Sequence, residues 1–148
     1  MANYLVDTNV MLAASAYHDD QSGVASRAMP REDTLRELVH DWMANFASSD
    51  DKIVLDEEFV IWDEYQRNLP YNQRTYGQEY GLMVLQQKQD RGLVEYVPIE
   101  VLEGNGERIG VISDELAQIV TDREDRKWIA VAVAHFSLFE QVSPIVYG

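Results

Sequence analysis

The chain reads as an α/β protein, a three-layer α/β/α sandwich around a mainly parallel central sheet, on three observations. First, the runs Tyr4-Leu5-Val6 and Ile53-Val54-Leu55 are apolar at every position, whereas a strand wet on one face would alternate. Second, Val94–Val97 and Pro144–Tyr147 read as two further strands, and each interval between strands holds two stretches of helical character. Strands alternating with helices put helices on both faces of a parallel sheet. Third, 148 residues and 17.0 kDa with 46% hydrophobic content suit one substantial core and are too short for two comfortable domains. There is no internal repeat and no low-complexity tract.

The first strand ends at Asp7-Thr8-Asn9, and Val10–Ala14 then opens a helix. Asp7 or Thr8 is suited to cap that helix by accepting a free backbone N–H. The same position, beyond the carboxyl end of a strand, is where open α/β sheets bind ligands, so both readings stand. Tyr17 to Asp33, with His18, Asp19, Asp20, Ser22, Gly23 and Pro30, is the expected flexible connection. From Asp33 to Ala47, Leu35, Leu38, Val39, Trp42, Met43 and Phe46 recur at helical spacing. That stripe is core or partner surface.

After the second strand, Asp56 is expected to open a helix that carries Asp63 and Glu64 about two turns in. A long helix is expected from about Asn72 to Asp90, stopped by Gly92, although Gly77 and Gly81 weaken its early turns. Beyond the third strand, Glu103-Gly104-Asn105-Gly106-Glu107 reads as a turn-rich loop. Ser113 is placed to cap a short helix over Asp114 to Val120. Asp122-Arg123-Glu124-Asp125-Arg126-Lys127 then forms a charged turn leading into the small-residue helix Trp128–Ala132.

A first strand ending in Val-Asp-Thr-Asn, a Glu-Tyr on the helix after strand two, and an Asp opening a helix of the form Asp-Arg-x-x-x-Ala-x-Ala together resemble the PIN-domain nucleases. The resemblance spans nearly the whole chain, keeps the family's order, and makes residues 1–148 a single PIN-like domain. It implies a Mg²⁺- or Mn²⁺-dependent endoribonuclease whose acidic residues gather from distant segments, with Asp7, Glu64 and Asp125 at the matching positions. It also suggests the toxin of a toxin–antitoxin pair, and homodimerisation. Hard cations prefer oxygen ligands and keep several waters, so a few carboxylates and a substrate phosphate make a workable site. An ion so held activates water and stabilises charge on the phosphate. Thr8 and Asn9 beside Asp7, and Arg123, Arg126 and Lys127 beside Asp125, are the expected substrate contacts.

Helical spacing sorts the acids from their neighbours. Asp63 and Asp122 have Arg67 and Arg126 four residues on, as in ordinary exposed pairs. Asp125 has Trp128 and Ile129 at those positions, which puts it on the buried side of its helix, and Glu64 follows Val60 and Ile61 at stripe spacing. PIN domains carry a fourth acid beyond the last strand, and no Asp or Glu follows Pro144–Tyr147; Asp122 is the substitute within the chain. A shortened form of a longer chain is the other explanation.

The chain has no cysteine, which excludes disulfides and thiolate metal sites. No apolar stretch is long enough to cross a bilayer and no signal-type segment opens the chain, so a cytoplasmic location is expected. His18, His40 and His135 lack ligand-like spacing. The formal charge of −14, from 26 acidic and 12 basic residues, opposes simple RNA binding and suits a basic protein partner such as an antitoxin. Two alternatives to the nuclease follow. One is a catalytically weak or inactive PIN-like interaction module. The other is an aspartyl-phosphate phosphatase, which needs a second acid where Asn9 stands.

Overall fold

The structure, a computed structural model, describes residues 2–18, 28–69 and 79–147. Its sheet has the order β3-β2-β1-β6, all parallel, from β1 (Asn3–Val6), β2 (Lys52–Asp56), β3 (Val94–Val97) and β6 (Ile145–Val146). The two central strands bring Leu5, Val6, Ile53, Val54 and Leu55 to complete burial, which is why their sequence shows no alternation. Helices flank the sheet in two groups, giving the expected three layers. Helices α1 (Thr8–His18), α2 (Asp33–Ser48) and α4 (Tyr80–Asp90) pack on one another, while α3 (Val60–Asn68) and α6 (Arg126–Phe139) pack with β2.

Several local expectations are met and others corrected. Ser113 caps α5 (Asp114–Ile119) by accepting the Leu116 N–H. Asp56 does not open a helix; it ends β2. From there its fully buried carboxylate reaches across a turn to accept the N–H groups of Val60 and Ile61 at 2.8 and 2.9 Å. The turn requires Phe59 to adopt a left-handed backbone at φ 60°, an uncommon conformation for a bulky residue. The helix expected from Asn72 starts at Tyr80 among the described residues. Asn72 and Gly77, like residues 19–27 of the connection after His18, lie outside them.

Gly81 sits where α4 crosses α1. A Cβ there would lie 2.8 Å from the Met11 Cβ, so the residue that weakens the helix by propensity is the one that lets the helices meet. The Gly81 N–H donates to the Ser15 Oγ at 2.9 Å. The stripe along α2 divides: Met43 and Phe46 are core, whereas Leu35 and Leu38 are exposed. Trp42 and Phe46 meet Tyr4 edge to face.

The largest departure is at residues 101–110. The expected loop is the turn of a β-hairpin, β4 (Val101–Gly104) pairing antiparallel with β5 (Glu107–Gly110). Asn105 and Gly106 both take positive φ, 54° and 77°, as a tight two-residue turn requires. The hairpin lies across α3, α6 and the 3₁₀ turn Arg123–Asp125. Among the described residues, no helix is long and apolar enough to cross a membrane.

Candidate active site

The chain lays β2 and β3 to one side of β1 and β6 to the other. The crevice at the carboxyl end of β1 is therefore the switch point at which α/β sheets place ligands. Asp7 stands there. Its backbone N–H donates to the Val146 carbonyl at 2.8 Å, and its carbonyl accepts the Val10 N–H at 3.0 Å. The backbone N–H groups of Thr8 and Asn9 face its side chain and favour its charged form.

Burial, then the charge of Glu64, and more weakly that of Asp125, push the Asp7 carboxyl above the usual carboxylate range, while the two backbone N–H groups pull it down. Asp7 at the end of β1 is therefore within electrostatic reach of Glu64 in the second turn of α3 and, more weakly, of Asp125 in the turn before α6. Glu64 is mostly covered, at 15% side-chain exposure. The Thr8 hydroxyl donates to its Oε2, and its Oε1 lies 2.6 Å from the Lys127 Nζ.

Asp125 differs from expectation: it is exposed, as the last residue of the 3₁₀ turn. The helix begins at Arg126 rather than before it, so helical facing does not apply to Asp125. Asp122 is occupied by its own turn, with Oδ1 accepting the Glu124 N–H at 3.0 Å.

The neighbouring cations divide by partner. Arg126 donates to the Val120 and Ala117 carbonyls at 3.0 and 3.4 Å, tying the end of α5 to α6 rather than pairing with Asp122. Lys127 is buried against Glu64 and Glu124, and Arg123 and Asn9 are exposed. Asp63 gives its carboxylate to Arg108 of the hairpin, not to Arg67. Among the described residues, no three His, Asp or Glu side chains are gathered closely enough to hold a metal ion.

Three residues of the site had no assigned part in the sequence reading. Fully buried Tyr65 donates its hydroxyl to the carbonyl of Val6, the residue before Asp7. Burial first, then Glu64, Asp7 and Asp56, raise that phenol well above its ordinary range and keep it a donor. Arg108 donates to the Glu58 and Phe59 carbonyls at 2.8 and 3.3 Å as well as to Asp63. Gly110 abuts the backbone of Lys127. A cleft of about 310 Å³ between the hairpin and α3 takes in Arg67, Asp63, Arg108 and Glu124.

No protein-family model, no curated protein and no solved structure matches this chain.

Proposed function

We propose that this chain is a Mg²⁺- or Mn²⁺-dependent endoribonuclease of the PIN type. The observation that carries the reading is the approach of Asp7, Glu64 and Asp125 from three elements, close enough for Glu64 and Asp125 to raise the Asp7 carboxyl. Like charges held together in this way disfavour ionisation, and a cation relieves them. The donor chemistry fits a hard divalent ion, which needs only one or two carboxylates beside waters and substrate phosphate. Asp7 and Asp125 are the residues that would hold it. Such an ion supplies Lewis-acid activation of water and of the phosphodiester.

The chain's own residues do the positioning. Thr8 and Lys127 fix the Glu64 carboxylate from both sides. Tyr65 pins the carbonyl that precedes Asp7. The cleft beside Glu124, with Arg67 at its wall, is the place for nucleotides flanking the scissile bond. A cytoplasmic location belongs with this reading, as does pairing with a basic antitoxin that meets the charge of −14. Structured RNA incubated with Mn²⁺ tests it. Wild type cleaves, and Asp7→Asn loses about a hundredfold or more, the scale of removing one preorganised electrostatic group. Retained cleavage in a folded Asp7→Asn protein overturns the site.

One observation favours a second reading, a non-catalytic interaction module: the Glu64 charge is already matched by Lys127. That reading expects the melting temperature to be unchanged by millimolar Mn²⁺. A shift that disappears in Asp125→Ala counts against it.

A further inference from the structure

Lys127 carries the buried charge that metal-assisted hydrolysis leaves unexplained. Its side chain is 3% exposed. The Nζ lies 2.6 Å from the Glu64 Oε1, donates to the Glu124 carbonyl at 2.6 Å and lies 3.5 Å from the Glu124 Oε2. An ammonium has three donors, and all three here face oxygen. Glu64 is equally committed, since its other oxygen accepts the Thr8 hydroxyl. The pair is mutually satisfied on both sides, the condition under which buried charges are tolerated.

The pair is also fixed in place. A Cβ at Gly110 would fall 2.7 Å from the Lys127 Cα and 3.0 Å from its N, so β5 lies directly on the backbone at the start of α6. Arg108, two residues earlier, ties the same strand to α3 through the Glu58 and Phe59 carbonyls and Asp63. The hairpin thereby holds the helix that carries Glu64 against the helix that carries Lys127. For a divalent ion to take Glu64, the ammonium would have to leave a covered position and remain beside Glu124, or two cations would have to share one carboxylate. Among the described residues, no Lys or Arg forms an ion pair with Asp7 or Asp125.

We propose that Lys127 is the built-in cation of this acidic site: its ammonium neutralises and positions Glu64, so that a divalent ion is held by Asp7 and Asp125 without Glu64. The inference rests on the metal-site reading above and assigns Glu64 and Lys127 a positioning part within it. It reverses the expectation that Glu64 is a metal ligand and that Lys127 faces substrate.

Isothermal titration of Mn²⁺ into the metal-stripped full chain tests it without reference to RNA cleavage. The double variant Lys127→Met/Glu64→Gln, which removes both charges of the pair, should leave Mn²⁺ affinity within about twofold of wild type, whereas Asp125→Asn should weaken it about tenfold or more, the scale of losing a group that supports a metal site. Lys127→Met frees Glu64 and should tighten Mn²⁺ binding, while Glu64→Gln leaves the ammonium uncompensated beside the site and should weaken it. The double variant replaces the ion pair by a neutral pair of similar volume, so it carries the test if Lys127→Met fails to fold. The proposal is overturned if the double variant weakens binding as much as Asp125→Asn, if a folded Lys127→Met binds no more tightly than wild type, or if no form binds Mn²⁺. A protein that follows the expected pattern but cleaves no RNA sinks the nuclease and leaves this role of Lys127 standing.

Discussion

A carboxylate that holds its proton more tightly in the folded chain than in the unfolded chain lowers stability wherever it is ionised. Asp7 is in that position, because burial and then Glu64 and Asp125 push its carboxyl up. Its contribution to stability is fully present below the unfolded carboxylate range and is lost as pH rises through the raised folded value. Asp7→Asn removes the charge at nearly the same side-chain volume. This substitution is therefore expected to raise the melting temperature at neutral pH, and the gain should shrink toward zero below the ordinary carboxylate range. Thermal melts across that span check it, and an Asp7→Asn protein less stable than wild type at neutral pH contradicts it. At this scale Asp7 was legible in sequence because a strand end is a local feature. The Lys127–Glu64 pair was not, since its halves are distant in the chain and only folding of α3 beside α6 joins them.

Among the elements, the helix–strand alternation was readable because each buried strand is a short apolar run and each stripe has its own period. The hairpin was the exception. Leu102, Glu103 and Gly104 are exposed along β4, so burial leaves no apolar signature, and Asn105-Gly106 was the one signal that specified a tight reversal. Reading it as a loop also hid Arg108 and Gly110, which join α3 to α6. Two of the three hairpin glycines, Gly104 and Gly110, provide the test. Gly104 has open space around its Cα, and Gly104→Ala should change stability by no more than about 0.5 kcal/mol. Gly110→Ala drives a methyl into the Lys127 backbone and should cost about 1–3 kcal/mol, as overpacking does. Denaturant unfolding measures both. Equal effects would mean that the hairpin is not seated on α6 as described.

For the whole molecule, the charge of −14 sets how any polyanion is met. Few of the described cations are free to meet one. Lys52, Arg91 and Arg108 pair with Glu95, Asp50 and Asp63. Lys88 donates inward to the Ser49 and Asp51 carbonyls, Arg126 donates to carbonyls, and Lys127 neutralises Glu64. An RNA-binding surface built from Lys and Arg releases about 0.9 counterions per phosphate contacted, giving a steep fall of affinity with salt. Among the described residues that source is small, with Arg67 and Arg123 left over, so the nuclease reading expects RNA to be drawn chiefly by an ion at the acidic crevice. Fluorescence anisotropy with a hydrolysis-resistant phosphorothioate RNA should detect no binding in EDTA. At fixed Mn²⁺, the slope of log affinity against log monovalent salt should be no steeper than about −1, the contribution of a single phosphate contact. Binding that persists in EDTA, or a slope beyond about −3, would require a basic surface that the described residues do not form, and would move substrate capture away from the acidic crevice.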